Sequence, residues 1–226
     1  MKKITLLFIA TLMISTAAFS QGDLDKQFYF RMGYSKPTMK YWGIDNDNFW
    51  NDVKRNGFVF ELGQIFMLNS IPLADGLRLG INADYLSFYY HGIKSDFITV
   101  GNIILGSKVG PSISYSPVDK LVFDAYGKFN PVWFGSVIMV PEGTNTDSEI
   151  FLGALGIGYS LGINVRYSIL MLGFDFNKSF TKLQYYDESE GLVDDSYFGN
   201  MGTDSGDADK DRTPLSSMNF TIGLSF

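Results

Sequence analysis

Ser216-Ser217-Met218-Asn219-Phe220-Thr221-Ile222-Gly223-Leu224-Ser225-Phe226 is the stretch whose pattern decides the fold. Met218, Phe220, Ile222, Leu224 and Phe226 are apolar, and the residues between them are small or polar. A period of two puts all the apolar side chains on one face of a strand and the polar ones on the other.

The same alternation recurs through the 226 residues. Phe28, Phe30, Met32 and Tyr34 alternate with Tyr29, Arg31, Gly33 and Ser35, and Pro37 ends that strand because it has no N–H to donate. A second strand sets Phe58, Phe60, Leu62 and Phe66 against Glu61 and Gly63. A third sets Leu77, Leu79, Ile81, Ala83 and Tyr85 against Arg78, Gly80, Asn82 and Asp84. The fourth opposes Ile103, Leu105, Val109, Ile113 and Tyr115 to Asn102, Gly106, Lys108, Gly110 and Ser112. In the fifth, Leu121, Phe123, Ala125 and Phe129 oppose Asp124, Tyr126, Lys128 and Asn130. The sixth runs from Phe151 to Leu161, with Ala154, Gly156, Gly158 and Ser160 on its small face. The seventh sets Leu170, Leu172, Phe174 and Phe176 against Gly173, Asp175, Asn177 and Ser179. The terminal strand is the eighth.

The segments between them are expected to alternate long and short: loops over 36–55, 91–96, 135–149 and 181–214, and turns over 69–76, 116–120 and 162–166. The face opposite the apolar one carries Arg31, Glu61, Arg78, Asp84, Lys108, Asp124, Lys128 and Asp175. Two soluble sheets packed face to face would bury an apolar core and leave their outer faces polar. A closed barrel in lipid reverses that arrangement, with apolar side chains outward and charges in the lumen. The expected fold is therefore all-β, an eight-stranded antiparallel up-and-down transmembrane β-barrel with long outer loops and short periplasmic turns. A ten-stranded count, with an extra hairpin in the last loop, is the alternative. Tyr34, Phe58, Tyr85, Tyr89, Trp133 and Phe151 are expected at the outer interface, and Phe66, Tyr115 and Phe226 at the inner one, where amphipathic rings settle.

Lys2 and Lys3 precede an apolar run from Ile4 to Ala18, followed by Phe19-Ser20. This reads as a secretory signal peptide over residues 1–20, with the barrel domain over 21–226. Its loss takes the net charge from −6 to −8, which argues against nucleic acid as a partner. No Cys is present, so thiol chemistry and thiolate metal sites are excluded.

The leader, the eight alternating strands and terminal Phe226 together resemble small outer-membrane β-barrel proteins. The chain is similar to the OmpA transmembrane domain and to OmpX-type proteins, grouped loosely as the porin family. That resemblance implies a place in the cell outer membrane of a Gram-negative bacterium. It implies contact with outer-membrane lipid and lipopolysaccharide. It makes Met218, Phe220, Ile222, Leu224 and Phe226 the signal read by the barrel-assembly machinery. It implies no cofactor, and it does not choose among structural, adhesive, channel and lipid-modifying roles.

The residues themselves narrow those roles. An eight-stranded barrel is only wide enough for its own side chains to fill, so the inward charges read as an ion-paired plug that includes the Arg78–Asp84 region. A narrow pore for ions or small solutes is the second reading. A lipid-modifying enzyme is a distant third. It would need His91, the only His, beside Ser87, Ser95 or Asp96, whereas His91 reads as a solvent-facing loop residue. Asp207, Asp209 and Asp211 alternate like the start of a calcium loop, but Arg212 follows where Gly is needed, so they read as a solvated acidic loop, with a weak divalent-cation site as the alternative. Tyr41, Trp42, Phe49 and Trp50 in the first loop read as packing over the barrel mouth or as a surface for an extracellular ligand.

Overall fold

The computed structural model describes residues 28–38, 54–68, 71, 73–94, 98–141, 150–187, 191–193 and 212–226. Nine strands are present among them: β1 Phe28–Pro37, β2 Lys54–Met67, β3 Leu77–Lys94, β4 Ile98–Val118, β5 Leu121–Pro141, β6 Ile150–Tyr167, β7 Leu170–Asp187, β8 Gly191–Val193 and β9 Arg212–Ser225. Every pairing is antiparallel. Each long strand pairs with the next along the chain. β7 pairs with both β6 and β9, and β9 with β1, which closes the sheet. β8 pairs only with the end of β7, over Tyr185 to Asp187, so it extends a hairpin and adds no stave to the wall. The closed eight-stranded up-and-down barrel is the fold expected from the alternation. Closure leaves no free sheet edge along the wall, which satisfies the backbone without help from water.

The two ends of the barrel chain meet: Phe28 N–H donates to Phe226 O at 3.2 Å, and Phe226 N–H to Phe28 O at 2.8 Å. Phe30 and Phe226 stack there with ring centroids 6.2 Å apart. Three tight connections share that end. Asp119-Lys120 and Ser168-Ile169 each join two strands with two residues, and Lys120 and Ser168 take positive φ of 70° and 55°. The third reverses at Gly76, whose φ of 74° glycine adopts without steric cost.

The alternation places the faces correctly along most of the wall. Met32, Ile81, Phe129, Ile163, Leu172, Phe220 and Ile222 are exposed, while Arg31, Glu61, Asn82, Asp124 and Asp175 are fully buried. Tyr34, Phe58 and Tyr85 stand on the outer face, as do Phe66 and Tyr115 towards the tight-turn end. The side chains of Trp133 and Phe151 lie outside the described residues.

Four expectations fail. Strands β3 to β7 are longer than alternation alone indicates, because β-branched and apolar residues such as Ile98–Val100 and Val137–Val140 continue the ladder beyond the amphipathic part. The segment around His91 is therefore strand, and the chain turns at Ser168-Ile169 rather than over 162–166. Tyr89 points inward, not to the outer interface. A register shift between Asp84 and Ser87 leaves Tyr85 and Leu86 both exposed and inverts the faces beyond them. His91 follows that inversion and is buried, at 2% exposure, inside the barrel. Arg78 sits at the tight-turn end, half-buried, with Nη1 donating to its own Leu77 carbonyl at 3.0 Å. Among the described residues no carboxylate pairs with it, so the ion-paired stretch expected from Arg78 to Asp84 includes only Asp84.

Candidate functional site: the charged interior

The inward positions of the eight strands bring four cations and four carboxylates together. Arg31, Lys108, Lys128 and Arg166 meet Glu61, Asp84, Asp124 and Asp175, and none is more than 3% exposed. Seven of these are charges that the sequence places in the lumen. The eighth, Arg166, lies where a turn is expected. The signal was available, because Leu161, Ile163, Val165 and Tyr167 keep alternating with Gly162, Asn164 and Arg166.

Arg31 and Glu61 are register partners on β1 and β2, and Arg31 Nε donates to Glu61 Oε2. The other arms of the same guanidinium reach across the lumen. Nη1 donates to Asn164 Oδ1 at 2.8 Å and Nη2 to Asp175 Oδ2 at 3.1 Å. Glu61 also accepts from Lys108 Nζ, and from Tyr89 Oη at 2.7 Å. Lys108 Nζ lies 3.9 Å from Asp84 Oδ2, and Lys128 Nζ donates to that same oxygen at 2.8 Å. Towards the tight-turn end, Arg166 holds Asp124 in a two-pronged pair, Nε–Oδ2 at 2.8 Å and Nη2–Oδ1 at 2.9 Å. Ser114 adds a third bond to Asp124 at 2.6 Å.

Burying an unpaired charge costs several kcal/mol, roughly, even after relaxation. Here each charge has an opposite partner, and the four positive and four negative groups cancel. Aromatic rings complete the solvation: Lys128 Nζ stands 4.3 Å from the Tyr126 ring centroid and Lys108 Nζ 5.0 Å from that of Tyr89.

Two hydrogen bonds run straight across the barrel. Lys128 on β5 donates to Tyr29 Oη on β1 at 3.2 Å, and Asn177 on β7 donates to Tyr89 Oη on β3 at 3.1 Å. In each case the strands lie four apart in either direction round the wall. Such bonds require the lumen to be no wider than two opposing side chains. Glycines make the room. A Cβ on Gly173 would stand 2.7 Å from Arg31 Nη1, and one on Gly162 would stand 2.5 Å from Tyr126 Oη. Below the charges, Tyr29, Ile65 and Met171 form a small buried apolar cluster backed by Met67.

Above them the interior is looser. Ser87, Tyr89, His91, Lys108, Asn130 and Asn177 help line a cavity of about 20 Å3, room for about one or two waters. Ser35 Oγ lies 2.7 Å from His91 Nε2 and donates to Asn219 Oδ1 at 2.5 Å, and Asn219 Nδ2 donates to Asp175 at 2.7 Å. Ser87 Oγ, His91 Nδ1 and Asn130 Oδ1 are buried without a protein partner among the described residues. Asp207, Asp209, Asp211, Ser95, Asp96 and the first-loop aromatics lie outside the described residues. No group of three metal-ligating side chains occurs among the described ones.

Taken together, these features define the class: an eight-stranded antiparallel barrel turned inside out, apolar outside and ion-paired within. No protein-family model matches the chain, and no curated protein matches it. Among solved structures it is similar to Ail, the attachment invasion locus protein of Yersinia pestis. The identity is 12%, the match covers 92% of this chain and 100% of that one, and the TM-score is 0.48. The same protein in complex with the heparin analogue sucrose octasulfate aligns at 10% identity over 88% of this chain and 98% of that one, with a TM-score of 0.44. The outer membrane protein OprG from Pseudomonas aeruginosa aligns at 12% identity over 88% of this chain and 95% of that one, with a TM-score of 0.36.

Proposed function

We propose that this chain is a non-enzymatic integral protein of the Gram-negative outer membrane, a small barrel with a charge-plugged lumen. Its role is structural, or it presents its outer loops to an extracellular ligand. The observation that carries the reading is the neutral eight-charge interior, closed by the Lys128–Tyr29 and Asn177–Tyr89 bonds between opposite walls, inside a wall whose outer face is apolar. Only lipid makes such an outer face favourable. Export by cleavage after Ser20 and insertion through β9, with Met218 to Phe226 read by the assembly machinery, belong to the same proposal. Its lipid partners are those of the outer membrane, lipopolysaccharide included.

The test is planar-bilayer conductance of the refolded mature chain, with folding first checked by a boiled-versus-unboiled gel shift. A folded and silent barrel supports the plug. Stable ohmic steps sink it and favour the narrow pore, the reading suggested by the unpartnered polar atoms of Ser87, His91 and Asn130 around the upper cavity. A lipid-modifying role loses its acid–base group in this arrangement, because His91 faces the interior, where a lipid outside the wall does not reach it.

A further inference from the structure

Asp175 Oδ1 accepts from two amides at once, Asn219 Nδ2 on β9 at 2.7 Å and Asn177 Nδ2 on β7 at 2.8 Å. An ionised carboxylate only accepts, so it fixes which way both amides face. The oxygen of Asn219 is thereby turned to Ser35, and the oxygen of Asn177 to Asn130. Two chains of hydrogen bonds leave the carboxylate in this way, and each has a forced polarity.

In the first chain, Asn219 Oδ1 takes the single hydrogen of the Ser35 hydroxyl. Ser35 Oγ is left to accept from His91 Nε2, 2.7 Å away. Nε2 therefore carries the ring hydrogen, and in a neutral imidazole Nδ1 is then a bare lone pair. The Nε2–Cδ2 edge of the ring lies against β1 and β2, since a Cβ on Gly57 would stand 2.6 Å from His91 Cδ2. Nδ1 is on the opposite side of the ring, turned from those two strands. In the second chain, Asn177 Oδ1 accepts from Asn130 Nδ2 at 3.2 Å, and Asn130 Oδ1 keeps its lone pairs.

Both chains end at one place. His91 and Asn130 line the cavity of about 20 Å3 above the charge layer, and neither His91 Nδ1 nor Asn130 Oδ1 has a protein partner among the described residues. Ser87, whose Oγ is equally unpartnered, and Lys108 share that lining. None of the four side chains is more than 5% exposed. Lys108 Nζ has three N–H groups to give and directs one at Glu61. Buried acceptors left unmet are costly, and here two of them are aimed into the same small space by the same carboxylate.

We propose that this cavity is a binding site for a small neutral hydrogen-bond donor, and that its size and lining select water, one or two molecules. Each water gives hydrogen to His91 Nδ1 or Asn130 Oδ1 and takes it from Ser87 or Lys108, which supplies the two to four polar partners, roughly, that a buried water needs. An anion would meet two bare lone pairs, and a metal cation would meet the Lys108 ammonium. His91 is the anchor of the site. Ser35, Asn219 and Asp175 are positioning residues that hold its tautomer. The inference goes beyond the plug: Asp175, which pairs with Arg31 in the charge layer, also sets the polarity of the cavity above it.

His91 is the only His in the chain, so isotope-labelled histidine in the refolded, gel-shifted protein reports this ring alone. Long-range proton–nitrogen spectra in micelles at mildly alkaline pH, where an imidazole is uncharged, read both ring nitrogens. The Nε2–H form should exceed the Nδ1–H form about tenfold or more, the worth of one net hydrogen bond. The ring Hε1 should also show cross-relaxation with water. Both readings come from the unaltered protein and need no variant to fold. Ser35→Ala should move the two nitrogen signals towards a common average. An even tautomer mixture in the unaltered protein, or a ring without water contact, would overturn the inference. So would an unchanged tautomer ratio in folded Ser35→Ala, or a stoichiometric shift of the Nδ1 signal on adding zinc chloride. These readings stand apart from bilayer conductance, so the cavity and the plug are tested separately.

Discussion

Arg166 on β6 grips Asp124 on β5 through two parallel hydrogen bonds, with both side chains inside the barrel and almost fully buried. A two-pronged pair fixes orientation as well as charge. Removing Asp124 takes away the carboxylate that holds two arms of the buried Arg166 guanidinium. Asp124→Ala should cost about 3–5 kcal/mol, measured as a lower urea midpoint for loss of the gel-shifted band. The double variant Arg166→Met with Asp124→Leu should recover most of that loss. A single variant as stable as the unaltered protein would show that water reaches the pair.

Glu61 is bonded by Arg31, Lys108 and Tyr89 at once, whereas among the described residues Arg78 bonds only the carbonyl of the preceding Leu77. Glu61→Gln should therefore destabilise by several kcal/mol, roughly, because two cations lose their shared counter-charge. Arg78→Ala should stay within about 0.5 kcal/mol of the unaltered protein. The comparison by urea unfolding needs both variants in the same lipid. The reverse ranking would place the centre of the plug at the barrel end instead of its middle.

Gly173 leaves the space into which Arg31 extends, since an added Cβ would stand 2.5 Å from Thr221 Oγ1, 2.7 Å from Arg31 Nη1 and 2.8 Å from Asn164 Oδ1. Gly173→Ala should cost about 1–3 kcal/mol through overpacking. Its signature is faster unfolding on denaturant jump with the gel shift of the folded form retained. An unchanged unfolding rate would mean that the interior yields more readily than these distances allow.

Ile222 stands on the outer face beside Met32 on β1 and Leu172 on β7, at the centre of the alternating apolar run from Met218 to Phe226. In a bilayer, Ile222→Arg should cost about 2–4 kcal/mol, read from urea unfolding in phosphatidylcholine vesicles. A barrel that lived in water would gain solubility from the same change and lose no stability, so an unaffected midpoint would count directly against the transmembrane reading.

The period-two pattern alone determined that the chain forms strands, where most of them lie, which face is apolar, and that the other face carries charge. These are local properties, because successive side chains alternate wherever the backbone is extended. Closure, partner choice and the ends of the strands were settled only in three dimensions. Tyr89 and His91 turn inward because one register shift between Asp84 and Ser87 inverts the parity beyond it, and a shift of that kind depends on the neighbouring strand. Arg166 enters the interior because β6 continues to Tyr167, stabilised by ladders to β5 and β7 on both sides. Which cation meets which carboxylate, and that Lys128 reaches Tyr29 from the opposite wall, follows from the circumference of eight staves and from the glycines that make room within it. Residues nearly a hundred positions apart become neighbours only when the sheet closes, and alternation along one strand carries no information about that distance.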